Sequence, residues 1–191
     1  RITSLYWFNL SLKTLVKWRD TMDELGRVGR EMRMMDDFLL EGDAYRHERA
    51  KKADGRLDWD LNSVACPRGA LLFALDLDYD ADRKARLFQF GAPRAAVFSF
   101  PLPAYLGAPA DVFRMDADGV HDVSWTAKDG GVEITDTRSV VGIYVAAPDK
   151  ELRGRMAAEH QELLTHETAL NFDPARNDAD FAELENYLGG K

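Results

Sequence analysis

The sequence predicts an α+β fold: an antiparallel β-sandwich flanked by an N-terminal βα unit and C-terminal helices. Three observations carry this. The chain opens on an apolar run, RITSLYWF, followed by residues at helical spacing. From Leu57 to Ala147 it breaks into short apolar runs separated by Gly, Pro and Asp. After Pro148 the pattern returns to a sparse helical stripe. The corresponding segments are 1–54, a final βα unit of a barrel plus linker; 55–148, the sandwich; and 149–191, a helical extension.

The opening run is rich in β-branched and aromatic residues and is apolar on both faces from Leu5 to Phe8. Runs of this kind belong to strands covered on both sides. Ser11 is positioned as an N-cap. Leu12, Leu15, Val16, Met22, Leu25, Met32 and Met35 then recur at helical spacing, with charged residues between them. Gly26 and Gly29 either let a neighbouring backbone approach or mark a break between two helices. Phe38, Leu39 and Leu40 read as a final apolar anchor, and the polar run 46–55 as a solvated helix end or linker. A buried strand needs partners on both edges. The rest of the chain offers no second βα unit. The expected partner strands therefore belong to the remainder of a barrel domain or to another copy of the chain.

From Leu57 to Ala147 the runs are LDWDL, SVAC, ALLFALDLD, ARLFQF, AAVFSF, DVFRM, VHDVSW, GVEIT and SVVGIYVAA. They predict about eight or nine strands. DADG and KDGG are hairpin turns, and PLPAYLGAP is a loop, since proline cannot donate to a central ladder. Asp149 caps a helix over 150–169, with Leu152, Met156, Leu163, Leu164 and Leu170 as its stripe. Asn177 or Asp178 caps a short last helix ending at Gly189.

Composition narrows the function. The formal net charge is −8 and no basic stripe is present. That argues against nucleic acid and against an anionic membrane surface as partners. No run approaches the length of a membrane span, and the first residues lack the pattern of a secretory leader. The single cysteine, Cys66, cannot form an internal disulfide and reads as a small buried side chain. DLDYDAD fails the calcium-loop pattern in both registers, because Ala81 or Arg83 stands where Gly is required. It reads as a strand end with an acidic turn. Asp36, Asp37, Glu41 and Asp43 form an acidic cluster whose commonest role is surface charge. His160 and His166 are six apart and so point in different directions on a helix. No metal site, no cofactor and no catalytic residue is assigned. Trp59 and Trp125 would form a carbohydrate platform only if exposed, and a lone Trp on a strand usually packs inside.

The order of elements resembles the C-terminal portion of multidomain glycoside hydrolases, in which a (β/α)8 barrel is followed by a sandwich. The likeness rests on an aromatic-ended strand, the helix ELGRVGREMR…FLLEGD, the opening GALLFALDLDY and the closing SVVGIYVAA. It implies a non-catalytic accessory region that supports the barrel, with Trp7 and Asn9 near the sugar site. Carbohydrate is then the candidate ligand, and the chain alone is expected to hydrolyse nothing. The alternative is an autonomous carbohydrate-binding or protein-interaction module.

Overall fold

The computed structural model describes residues 19–84, 87–169 and 174–189. The expected opening strand, with Trp7 and Asn9, lies outside the described residues. Helix α1 (Arg19–Glu41) is unbroken. A β-carbon at Gly26 or Gly29 would meet nothing within 4 Å, so these glycines mark neither a break nor a close approach. Met34, Met35 and Phe38 form its buried face, while Leu40 of the expected anchor is exposed. The Gly42 amide then donates to the Phe38 carbonyl at 2.8 Å. A side chain at Gly42 would stand 2.4 Å from that carbonyl oxygen, so only glycine lets the helix pass directly into a strand.

That strand corrects the sequence reading. The expected linker over 46–55 is largely β1 (Asp43–Lys51), antiparallel to β2 (Leu57–Cys66). It is an outer edge strand, exposed at all but Ala50. Its charges guard the edge against foreign pairing and leave no apolar alternation to read. β2 in turn joins LDWDL and SVAC into one strand.

The chain continues through β3 (Gly69–Asp76), β4 (Tyr79–Asp82), β5 (Leu87–Phe90), β6 (Arg94–Pro101), a 3-10 turn (Ala104–Leu106), β7 (Asp111–Asp116) and β8 (Gly119–Asp122). β9 (Ser124–Lys128), β10 (Gly131–Arg138), β11 (Val141–Ala147), α2 (Leu152–Ala169) and α3 (Pro174–Gly189) complete it. Eleven strands thus occur among the described residues, more than expected. The surplus comes from β1, from YDAD, read as a turn but forming β4, and from VHDVSW, which splits at Val123 into strands of two different sheets, less the one run lost where LDWDL and SVAC join. Both hairpin turns form as read: Asp116 pairs with Gly119, and Lys128 with Gly131. Asp149 caps α2, its Oδ1 accepting the Glu151 and Leu152 amides at 2.8 Å. The last helix starts earlier than expected, at Pro174, where a missing amide hydrogen costs nothing.

Three layers result. The six-stranded sheet runs β1-β2-β3-β11-β7-β8, the three-stranded sheet β6-β10-β9, and β4-β5 stands apart. The large sheet is covered on both faces. Ala70, Leu72 and Ala74 of β3, with Tyr144 and Ala146 of β11, meet Phe98, Phe100, Val132 and Ile134 of the small sheet. Alternate residues Leu71, Val145, Phe113 and Met115 meet Met34, Phe38, Leu152 and Met156 of the helices. This explains why ALLFALD and VGIYVAA are continuous apolar runs although the sheet is antiparallel.

Polar contacts dock the helices on this sheet. The Ala117 amide in the β7–β8 turn donates to Glu31 Oε1 at 3.0 Å. The Ala117 carbonyl accepts from His160 Nε2 at 3.1 Å, which places the imidazole proton on that nitrogen. Arg27 binds Asp118 through both carboxylate oxygens at 3.0 Å. Arg153 of α2 binds Asp111 at 2.8 and 2.9 Å, and its guanidinium lies 5.1 Å from the centre of the Phe113 ring.

Two outcomes follow. The Tyr144 ring folds over Gly142, where a β-carbon would stand 2.9 Å from ring atoms. Gly142→Ala should cost about 1–3 kcal/mol in chemical denaturation, because the ring has no free volume to enter. Burial is the largest influence on Glu31 and raises its pKa, against the pull of the Ala117 amide. A raised native pKa means that Glu31 favours folding when protonated and loses that contribution as pH rises through it. Glu31→Gln keeps an acceptor for Ala117 without the charge. Its stability relative to the parent should be most favourable near neutrality and shrink in acid, as read by urea titrations across pH.

Candidate functional site

The sequence-level candidates divide sharply. Trp7 and Asn9 lie outside the described residues. In the acidic cluster, Arg68 holds Glu41 at 3.1 Å and also contacts Asp37, while Arg33 holds Asp36 at 2.9 Å. These carboxylates serve in ion pairs that fasten the end of α1. His160 is buried and spends its Nε2 proton on the Ala117 carbonyl. Cys66 is a buried free thiol, as read. Trp59 is 3% exposed and packs edge-on against Phe98 with centroids 4.9 Å apart. Trp125 is half-buried against the same core. Neither Trp59 nor Trp125 therefore supplies an exposed platform. No cluster able to hold a metal ion is present among the described residues.

The structure instead draws attention to DLDYDAD and ARLFQF. Past Asp76, the end of β3, the described residues of these runs belong to neither core sheet. They build the β4–β5 hairpin, an arm that leaves β3 of one sheet and returns as β6 of the other. All described residues over 79–93 are exposed. Tyr79 pairs with Phe90 and Ala81 with Phe88, whereas Asp80 pairs with Gln89 and Asp82 with Leu87. Because side chains alternate, one face of the arm carries Tyr79, Ala81, Phe88 and Phe90. The opposite face carries Asp80, Asp82, Gln89 and Leu87. Exposure reaches 68% at Phe88 and 56% at Leu87. Tyr79 meets Phe88 edge-on, with centroids 5.3 Å apart and planes at 85°, and Phe90 at 5.4 Å and 48°. An isolated two-stranded hairpin is marginal in water. This one is held by its aromatic cluster and by its root.

The root is a charged clamp. Arg94, the first residue after the arm, binds Asp58 at 2.6 Å and Asp76 at 3.2 Å. Asp76, whose side chain is only 3% exposed, is the last residue before the arm. Its Oδ1 also accepts the Asp78 amide at 2.9 Å, which turns the chain outward. The Arg94 guanidinium lies 4.5 Å from the centre of the Trp59 ring. Burial pushes its pKa down, but the bonds to Asp58 and Asp76 outweigh burial and hold it above the usual arginine value. Lys52 binds Asp78 and is the chief cause of that carboxyl's lowered pKa. A cleft of about 380 Å³ opens beside the root, between Arg56, Asp78 and Asp80 on one side and Gln89 and Phe90 on the other.

Sequence reasoning took ARLFQF for an ordinary core strand. The available signal was DLDYDAD: acids at alternate positions facing an apolar-aromatic strand across a short turn make an amphipathic hairpin. Comparisons with protein-family models, with curated proteins and with solved structures each gave no match.

Removing the clamp cation should release the arm. Arg94→Ala leaves the buried Asp76 carboxylate without its counter-ion, at a cost of roughly 3 kcal/mol. Amide hydrogen exchange over the arm should accelerate more than exchange in β3, β11 or β7.

Proposed function

We propose that the chain is a non-catalytic protein-interaction module, a helix-backed sandwich that docks on a partner protein through the β4–β5 arm. One observation carries this reading. A hairpin tied rigidly at its root holds an aromatic face in solvent, with nothing of the described chain covering it. Exposed contiguous apolar surface of this kind, rimmed by charge, is the usual mark of an interaction site.

The ring geometry favours a protein over a glycan. Sugars stack on flat, open aromatic faces. Here Tyr79 and Phe88 stand edge to face, which makes a knob that fits a pocket rather than a platform. The tryptophan best suited to stacking, Trp59, lies inside the sandwich. The glycoside-hydrolase reading rests on the resemblance of layout and on Trp7 and Asn9. Within that reading, the arm's partner would be the remainder of the enzyme.

The test separates docking from folding. Leu87→Ser with Phe88→Ser should leave the free energy of unfolding within about 0.5 kcal/mol, since both side chains are exposed. A photo-reactive residue at position 88 should give a polypeptide adduct in the native extract, and one at exposed Tyr105 should not. The mass of the adduct reports whether the partner is another copy of the chain or a different protein. Equal labelling at 88 and 105, or none at 88, overturns the proposal. So does a saturable tryptophan-fluorescence response to oligosaccharides that the Leu87/Phe88 change abolishes.

A further inference from the structure

Two edge strands of the sandwich, β1 and β6, are guarded very differently. β1 ends the large sheet and carries charge along its length. β6 ends the small sheet, and between Arg94 and Pro101 it carries none. No described strand pairs with its outer edge. The Leu102 amide donates to the Gly130 carbonyl at 2.8 Å, which sets the phase of the β6–β10 ladder. Phe98 and Phe100, with the other even-numbered residues of β6, bond β10. Ala95, Val97 and Ser99 therefore turn both N–H and C=O to the open edge, and Pro101 its C=O alone. Val97 is 61% exposed.

Beside this edge opens a cleft of about 460 Å³. β6 lies over β2, so the inner face of β1 continues past it as a floor. Ala50 and Leu61 make that floor apolar, and Glu48 stands on the same face. The β9–β10 turn closes one end with Lys128 and Asp129. Lys128 is engaged by Glu133 at 3.3 Å. Glu48 and Asp129 have no ion-pair partner among the described residues, so the cleft presents carboxylate and no free cation.

We propose that β6 receives an extended, lysine- or arginine-bearing segment of another protein as an added strand of the small sheet, at a site separate from the arm. Its backbone pairs with Val97, Ser99 and Pro101, which gives affinity without sequence. Its alternate side chains face the floor at Ala50 and Leu61, where small apolar residues fit, and its cation meets Glu48 or Asp129. At about 3.3 Å per residue, the edge from Val97 to Pro101 takes a segment of roughly five residues. The chain's own opening run is a poorer occupant. It is apolar on both faces from Leu5 to Phe8, whereas a strand added here keeps its outer face in water, level with exposed Val97 and Ser99.

The experiment titrates the full chain with short capped peptides that alternate valine and threonine and carry one lysine at each position in turn, read by amide NMR. The Val97 and Ser99 amides should shift most, and the best lysine peptide should bind more tightly than the same peptide with glutamate. Val97→Pro deletes an edge donor but no β10 bond, and should weaken binding about ten-fold or more with the fold retained. Methylating alternate amides of the peptide makes the same cut from the ligand side and leaves the protein untouched. Glu48→Lys should remove about three- to five-fold from the lysine peptide's advantage. Leu87→Ser with Phe88→Ser should leave peptide binding unchanged. A parent that ignores every lysine peptide up to about 1 mM overturns the site. Binding that survives amide methylation overturns strand addition, and lysine and glutamate peptides of equal affinity overturn the charge assignment. Self-association of the parent in sedimentation, lost in Val97→Pro, replaces the foreign segment with a second copy and overturns the proposed occupant.

Discussion

One peptide unit in the β7–β8 turn organises much of the helical layer. The amide of Ala117 goes to Glu31 on α1 and its carbonyl to His160 on α2, so two helices from opposite ends of the chain grip the same group. A hairpin turn ordinarily satisfies such groups with water. Here they are taken out of water, and each must keep a partner. Arg27 on Asp118 and Arg153 on Asp111 surround the same region with charge-assisted bonds. The helices can therefore lie on the sheet in one register only. Apolar contact from Met34, Phe38 and Met156 supplies adhesion without direction, and the polar contacts supply direction.

The sandwich interior is asymmetric. Around Phe98, Phe100, Val132 and Ile134 it is apolar. Towards the start of β6 and the end of β10 it is charged. Arg94 and Arg138 are cross-strand neighbours there, and Asp136 lies between Arg114 at 3.6 Å and Arg138 at 4.0 Å. The Tyr144 hydroxyl donates to Asp136 at 3.1 Å. Burial, and then the Asp136 charge, push the phenol's pKa up, so it stays a donor throughout the physiological range. A partly buried charge persists only when paired. This end of the sandwich is accordingly a lattice of ion pairs, and the arm leaves the body through it.

That origin explains why the arm is both exposed and directed. The excursion between β3 and β6 must change sheets, and Asp76 with Arg94 closes its two ends across the gap. A flexible loop could make the same crossing. A hairpin with an aromatic face, pinned at a buried carboxylate, holds that face in a set orientation, so less order must be created when it docks. The helical side of the molecule is covered and the arm side is open, and the interaction reading grows from that contrast.

What the residues specify locally was readable from the chain: the continuous apolar runs of β3 and β11, the alternation of β10, the DADG and KDGG turns, the Asp149 cap, and the burial of Cys66 and Trp59. Each depends on neighbours in sequence or on a period of two. Four features depended on the tertiary arrangement. DAYRHERAK is a strand because β2 offers it an edge, and a charged edge strand has no apolar period to betray it. VHDVSW divides because its halves belong to different sheets, which no local propensity encodes. Gly26 and Gly29 stay within one helix with no neighbour close to either, which their spacing alone could not decide. The arm shows the limit most plainly: alternation in YDAD and LFQF says that one face is apolar, but hydrophobicity has no direction and cannot say what covers that face. Only the path of the chain, from one sheet to the other past a charged end, leaves Tyr79, Phe88 and Phe90 in water.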